Sequence, residues 1–141
     1  MKPFQTLLLL TLLTAPALAD APNPATPQPL HPIAADVLSQ IVDDGPFHLH
    51  VHLTVKPEMR SKFIASMKEA TAGTRLEAAN REYQLTQIAG DKNTFCLCEQ
   101  WTGTEGLSLH LSQPYVEQLL EVIDAAKASE LRMDVFVPIE F

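Results

Sequence analysis

The side chains best suited to acid–base chemistry in this chain lie between positions 77 and 110. They supply an amide, a phenol, a carboxylate, an indole and an imidazole, on Asn80, Tyr83, Glu99, Trp101 and His110. Glu99 and Trp101 belong to an alternating apolar run, so in a strand they share one face about 7 Å apart. A carboxylate on an apolar face is unusual for a plain core, because burying an unpaired charge is costly. We therefore expect a functional pocket on this face.

Hydrophobic periodicity predicts the elements that position these side chains. Strands are predicted at residues 47–55, 82–89, 94–101 and 133–139, with a hairpin turn at 90–93. Helices are predicted at residues 57–72, 105–111 and 115–128. The order of strand, helix, strand, strand, helix and strand predicts an α+β fold, a ferredoxin-like βαββαβ sandwich over residues 47–141.

The first residues have the pattern of a secretory leader. Lys2 precedes an almost continuous apolar run at residues 7–13, and Ala17-Leu18-Ala19 matches an Ala-x-Ala cleavage signal. The apolar run is shorter than the roughly 20 residues of a membrane-spanning helix. We predict a signal peptide at residues 1–19. The mature protein is expected to be exported, periplasmic or secreted, with no membrane association after cleavage.

Residues 20–46 are predicted to form a proline-rich linker. Five prolines lie between positions 22 and 32, with few core-forming residues among them, which favours an extended chain. Residues 33–42 have the spacing of a short amphipathic helix. The sequence leaves open whether this helix docks on the domain.

The charge balance disfavours two classes of partner. Without Lys2, nine Lys and Arg remain against seventeen Asp and Glu, and the acidic residues are spread along the chain. No basic stripe is present to neutralise phosphate groups. We therefore expect binding neither to nucleic acid nor to anionic membrane surfaces.

Three motifs follow one another in the second half of the chain. They are Thr74-Arg75-x-Glu77-x-x-Asn80-x-x-Tyr83-x-Leu85, Asn93-x-Phe95-x-Leu97-x-Glu99-x-Trp101 and Leu107-x-x-His110. Their order and spacing resemble the antibiotic biosynthesis monooxygenase family, which includes quinol monooxygenases. The similarity extends over residues 47–141. Two positions depart from the family pattern: Ala78-Ala79 replaces the common Pro-Gly, and Tyr115 stands where many members have histidine.

The resemblance implies a homodimer in which two ferredoxin-like sheets face each other as an α+β barrel, with a pocket between each sheet and its helices. Several members oxygenate phenols or quinols without a metal or a flavin. We therefore expect no cofactor, and a small aromatic substrate and dioxygen as reactants. Such chemistry requires a proton acceptor, and donors directed at the developing oxyanion.

The resemblance also suggests a role for each candidate residue. Asn80 and Tyr83 would donate hydrogen bonds to a substrate oxygen, and Trp101 would form a flat wall for an aromatic ring. His110 would transfer protons near neutral pH, and Glu99 would orient a donor or accept a proton if burial raises its pKa.

Each of these residues also has a structural alternative. His110 shares a helix face with leucines and is equally consistent with a satisfied core histidine, and Asn80 with an amide that bonds the local backbone. Tyr83 and Trp101 are consistent with core aromatics. Glu99 is consistent with a structural ion pair to Arg75 or Arg81.

A histidine strip forms a second candidate site. His48, His50 and His52 share one strand face, and Cys96 and Cys98 lie on the face opposite Glu99 and Trp101. Imidazole and thiolate are good ligands for zinc or copper. The favoured interpretation is that the histidines pack across the dimer interface. At i and i+2 the cysteines are about 7 Å apart at Cα, so we expect two buried thiols rather than a disulfide.

Two functions follow from these patterns. The first is a cofactor-independent monooxygenase that acts on a small phenolic or quinol-like aromatic molecule. The alternative is a non-catalytic exported module that binds a small molecule or a metal, copper or zinc, on the same fold.

Overall fold

The computed structural model describes residues 29–141. The predicted signal peptide and residues 20–28 of the predicted linker lie outside the described residues. The helices are α1 (Pro32–Gln40), α2 (Arg60–Thr74), α3 (Thr104–Leu111) and α4 (Pro114–Ala126). The strands are β1 (Phe47–Thr54), β2 (Asn80–Gln87), β3 (Thr94–Trp101) and β4 (Arg132–Phe136).

The four strands form one antiparallel sheet in the order β2-β3-β1-β4. Alternation within the strands divides the sheet into two faces. The apolar face, with Leu49, Leu53 and Leu97, is buried beneath the helices, whereas the opposite face carries the polar partners of the same strands. The predicted ferredoxin-like α+β fold is confirmed. Association of two sheets into a barrel stays a prediction.

The element boundaries differ from the predictions mainly at α2 and at two strands. Helix α2 begins at Arg60, after a single 3-10 turn at Pro57–Met59, and ends at Thr74 rather than at residue 72. β2 begins at Asn80 rather than at residue 82, because a register irregularity between Asn80 and Glu82 lets the strand start earlier. β4 ends at Phe136 rather than at residue 139. Phe136 pairs with His48 beside the first residue of β1, and Pro138 has no backbone N–H to donate to the ladder.

Helix α1 docks on the domain, which answers the question left open by the sequence. Ala34 and Val37 of α1 are fully buried, and the backbone N–H of His31 donates to Ser108 Oγ on α3 at 2.7 Å. The following loop is also tied to α3, because Asp44 Oδ1 accepts from the backbone N–H of Thr104 at 2.8 Å. The first amides of a helix lack partners within the helix, so this contact completes the start of α3.

Within residues 29–141, every helix is too short or too polar to cross a lipid bilayer.

Candidate functional site

An apolar cavity of about 170 Å³ lies between the sheet and helices α1, α3 and α4. Three of its lining side chains are polar, and these come from different elements: Tyr83 from β2, Glu99 from β3 and His110 from α3. The others are aliphatic or thioether side chains, namely Ile33, Val51, Leu97, Leu111, Val116, Leu119, Leu120, Ile123, Leu131 and Met133. An apolar cavity with few convergent polar groups is typical of a binding site for a small molecule.

Glu99 is the carboxyl group of this cavity. The residue is 5% exposed, and its Oε2 accepts a hydrogen bond from Trp101 Nε1 at 2.8 Å. Burial raises the pKa of Glu99 to about 7, the negative charge of Glu77 acts in the same direction, and the indole N–H opposes them. Near neutral pH both protonation states are therefore populated, which suits a group that accepts and returns a proton.

His110 is a neutral imidazole at the same cavity. It is buried, and its Nδ1 lies 3.0 Å from Oε1 of Glu77. Burial lowers the pKa of His110, although the hydrogen bond to Glu77 acts in the opposite direction. Because a carboxylate only accepts hydrogen bonds, Nδ1 carries the proton and Nε2 keeps its lone pair. The ring centroid lies 4.7 Å from that of Trp101.

Tyr83 contributes a phenol that stays protonated. Burial raises its pKa well above the usual value, and the charges of Glu99 and Glu77 raise it further. The hydroxyl group therefore keeps its proton near neutral pH, which suits a hydrogen-bond donor that stabilises an oxyanion.

Glu77 and Tyr115 complete the site, although neither was a sequence candidate. Glu77 Oε1 accepts hydrogen bonds from both His110 Nδ1 and the hydroxyl group of Tyr115. Burial and Glu77 together raise the pKa of Tyr115 to about 12. One signal in the sequence could have identified Glu77. A buried histidine needs a hydrogen-bond partner, and Glu77 is an acidic residue in the same motif as Asn80.

The close approach of Tyr115 to α2 depends on Gly73. A Cβ atom at Gly73 would lie 2.6 Å from the Tyr115 ring. Only a residue without a side chain leaves room for the ring at this position. The glycine therefore allows the tyrosine hydroxyl to reach Glu77, in the middle of the loop between α2 and β2.

Two predicted site residues do not line the cavity. Asn80 Nδ2 donates to the backbone carbonyls of Glu82 at 2.8 Å and of Gln100 at 3.4 Å. This amide therefore stabilises the backbone at the strand irregularity and does not point at a substrate oxygen in the cavity. Trp101 is 1% exposed and lies behind Glu99 and His110. It supports those two side chains instead of forming the wall for an aromatic ring.

The predicted alternative for Glu99, an ion pair with arginine, is wrong. The Arg75 guanidinium donates to the backbone carbonyl of Tyr83, and Arg81 Nη1 donates to that of Ala78. The partner of Glu99 is instead the neutral indole of Trp101. Glu99 therefore has no compensating positive charge among its hydrogen-bond partners in residues 29–141, which is why burial dominates its pKa.

The histidine strip lies on the open sheet face, away from the cavity. The ligand atoms of His50, His52 and Cys96 lie within 4.8 Å of one another. His48 is separate, because its Nδ1 lies 3.1 Å from Nε2 of Gln100. Cys96 and Cys98 are free thiols, which confirms that they form no disulfide with each other. The expectation that they are buried is wrong, because both are half-buried in the single chain.

Comparison with known proteins assigns the fold to a family. Residues 46–122 match the model of the family described as antibiotic biosynthesis monooxygenase. The chain belongs to that family. This chain is 31% identical over 62 residues to the protein YcnE of Bacillus subtilis strain 168. The name of YcnE describes that protein provisionally as a monooxygenase. That match covers 44% of this chain and 65% of the length of YcnE.

Solved structures agree with this assignment at the level of the fold. A Caulobacter crescentus protein superposes with a TM-score of 0.64 at 17% identity, over 69% of this chain and 92% of the other. Rv0793 from Mycobacterium tuberculosis superposes with a TM-score of 0.62 at 20% identity, over 68% and 97% of the two chains.

Proposed function

We propose that this protein is an exported monooxygenase that acts, without a metal or flavin, on a phenol or hydroquinone with a single aromatic ring. The observation that carries the proposal is the Glu99 carboxyl group, with a pKa of about 7, in an apolar cavity beside Tyr83 and His110. Membership of the monooxygenase family and the name of YcnE support the reaction class.

The size of the cavity supports the substrate class. An apolar protein cavity of about 150 Å³ holds benzene. The cavity described here, of about 170 Å³, therefore accommodates one substituted aromatic ring. A groove of about 570 Å³ between α2 and β2 is larger, but it lacks Tyr83, Glu99 and His110.

The proposed reaction begins with loss of the phenolic proton. The Glu99 carboxylate accepts this proton, and the Tyr83 hydroxyl group donates a hydrogen bond to the phenolate oxygen. The electron-rich ring then transfers an electron to dioxygen, and the two radicals combine to a ring peroxide. Loss of water leaves a quinone, with one oxygen atom in the ring product and the other in water. The ring supplies both electrons, so the reaction balances without a further reductant.

The Glu77–His110 pair has a positioning role in this scheme. The contact with Glu77 keeps Nε2 of His110 as an acceptor, while the ring packs against Trp101, which in turn bonds Glu99. Trp101 and Glu77 thus act through other side chains, whereas Glu99, Tyr83 and His110 line the space that the substrate would occupy.

Oxygen consumption with a panel of hydroquinones and naphthohydroquinones tests the proposal. We expect turnover of single-ring members, and a loss of about 100-fold or more in Glu99→Gln. Glu82→Gln is the matched control, since Glu82 is absent from the cavity lining. Turnover that is unchanged in Glu99→Gln would contradict the proposal.

The second candidate function is a non-catalytic module that binds a small molecule in the same cavity. The position of Trp101 allows binding to be measured directly. Trp101 is the only tryptophan of the chain, and it contacts Glu99 and His110, which line the cavity. Its fluorescence should therefore respond to an aromatic guest. A fluorescence change that saturates, without oxygen consumption, would support binding alone and remove the enzymatic claim.

We also propose that the working form is a homodimer. The open sheet face carries half-buried His50 and Cys96, and Phe136 at its edge is 48% exposed. Beyond it, Val137, Ile139 and Phe141 are exposed too. A second copy of the same sheet would cover this surface, as the family resemblance implies. Sedimentation equilibrium should give twice the mass of the mature chain, and a monomer at micromolar concentration would contradict this.

A further inference from the structure

The open face of the sheet contains a cluster of nitrogen and sulfur ligands that the proposed oxygenation does not use. His50 and His52 lie on β1 directly opposite Cys98 and Cys96 on β3. One ligand atom from each of His50, His52 and Cys96 lies within 4.8 Å of the other two. This is the only such group of three among residues 29–141.

Cys98 is not one of the three residues whose ligand atoms lie within 4.8 Å of one another, but it adjoins Cys96 and is the candidate fourth ligand. Its Sγ lies 3.9 Å from Sγ of Cys96. With zinc–sulfur bonds of about 2.3 Å and a tetrahedral angle, two thiolates on one zinc ion are roughly 3.8 Å apart. The observed separation therefore matches two ligands of one ion, and it is far longer than the roughly 2.0 Å of a disulfide bond.

The surroundings of His52 also suit a metal ligand. Nε2 of His52 contacts Asp134 Oδ2 at 3.1 Å, which leaves Nδ1 for another partner. Metal-binding histidines generally direct the second ring nitrogen at a carboxylate or carbonyl, which fixes the ring orientation and raises its basicity. Arg132 holds Asp134 in turn, with Nη2 at 3.1 Å from the same Oδ2.

His48 provides an internal comparison. It lies on the same strand and the same face as His50 and His52, but its ring forms a hydrogen bond with Gln100 on the neighbouring strand β3. The alternating pattern of the sequence therefore presents three equivalent histidines, and the structure selects two of them.

We infer that His50, His52, Cys96 and Cys98 form a binding site for a metal ion with a filled d shell, Zn²⁺ or Cu⁺. Two thiolates neutralise the charge of Zn²⁺, and two imidazoles with two thiolates constitute a common tetrahedral zinc set. Soft thiolates equally favour Cu⁺. The site is separate from the cavity, because the four side chains lie on the opposite face of the same strands. The inference does not depend on the proposed oxygenation.

Metal binding by the full-length mature protein, purified reduced and without chelators, tests this site. We expect about one zinc ion per chain, and a thiolate-to-cobalt charge-transfer absorption when Co²⁺ replaces it. Competition with a chromophoric Cu⁺ chelator measures the affinity of the site for Cu⁺. Tighter retention of zinc or of copper identifies which ion the site prefers.

Three variants distinguish the site from adventitious binding. Cys96→Ser and His52→Ala should abolish the cobalt absorption and stoichiometric binding, and Asp134→Asn should weaken binding about tenfold. His48→Ala is the matched control and should bind as the wild type does. Circular dichroism establishes that each variant is folded.

Three outcomes would overturn the inference. They are wild-type protein that retains no stoichiometric metal, binding that survives Cys96→Ser and His52→Ala, and an intact mass that shows a Cys96–Cys98 disulfide in protein isolated from its compartment.

Discussion

Trp101 and Glu99 are two residues apart on β3, and the indole N–H donates to the Glu99 carboxyl group at 2.8 Å. The strand thus supplies both a buried acid and the neutral donor that holds it. A neutral donor stabilises the carboxylate less than a cation would, so burial prevails and the pKa rises to about 7. This relationship gives the cavity a group that exchanges protons near neutral pH.

The stability of the protein should fall as pH rises from about 5 to 7. Glu99 binds its proton more tightly in the folded state, with a pKa of about 7, than at the ordinary value of 4.5. Its contribution is therefore complete below pH 4.5 and is lost as pH rises through 7. The difference corresponds to about 3 kcal/mol of unfolding free energy.

Urea denaturation of the wild type and of Glu99→Gln at pH 5 and pH 8 measures this effect. Glu99→Gln should lose less stability than the wild type over this range, because a neutral amide does not ionise. Parallel pH dependence of the two proteins would show that Glu99 titrates normally.

Removal of Glu77 should destabilise the protein more than removal of the Tyr115 hydroxyl group, one of its two hydrogen-bond partners. Glu77→Ala leaves His110 Nδ1 and the Tyr115 hydroxyl group without their acceptor. A buried polar group without a partner costs about 1–3 kcal/mol. Tyr115→Phe removes only one donor and should cost less than Glu77→Ala. Thermal unfolding of both variants and of the double variant measures these losses of stability. Equal losses in Glu77→Ala and Tyr115→Phe would contradict the proposed role of Glu77 as the shared acceptor.

Substitution of Gly73 should displace Tyr115. Alanine is normally the better residue inside a helix by about 1 kcal/mol. In Gly73→Ala, however, the new methyl group would lie 2.6 Å from the Tyr115 ring, so we expect a loss of about 1–3 kcal/mol.

Two further variants isolate this contact. Gly73→Ala should become favourable in a Tyr115→Ala background, where the ring is absent. Gly45→Ala serves as a neutral control because no atom lies within 4 Å of the added Cβ. A Gly73→Ala protein as stable as the wild type would disprove the steric argument.

Filling the cavity should remove binding without unfolding the protein. Leu120 is half-buried and lines the cavity, so Leu120→Phe adds volume where the surroundings can yield. The Trp101 fluorescence response to hydroquinone should weaken at least about tenfold, which corresponds to 1.4 kcal/mol of lost binding. Leu109→Phe is the control, since Leu109 is 61% exposed. Equal binding by both variants would place the ligand elsewhere.

Cleavage of the leader is a prediction that the described residues do not address. Expression of the full chain with its own N-terminus should yield a mature protein that begins at Asp20. Ala19→Arg should block this cleavage, because a small residue is required before the cut. Intact-mass measurement of the exported protein decides the point, and an uncleaved Met1 form in the periplasm or medium would contradict it.

The periodicity of the sequence was enough to predict the sheet and the orientation of its side chains. Side chains alternate along a strand as a matter of backbone geometry, so Leu97, Glu99 and Trp101 had to share a face, opposite Cys96 and Cys98. The same rule placed His50 and His52 together. Such relationships are local, and residue spacing alone determines them.

The contacts that define the site were decided only by tertiary structure. Glu77 and His110 are 33 positions apart, and their hydrogen bond depends on how α3 lies across the loop before β2. Spacing alone also did not distinguish Asn80, whose amide bonds the backbone, from the residues that line the cavity. Periodicity determines the face that a side chain occupies, whereas the partner it meets depends on the packing of elements distant in the chain.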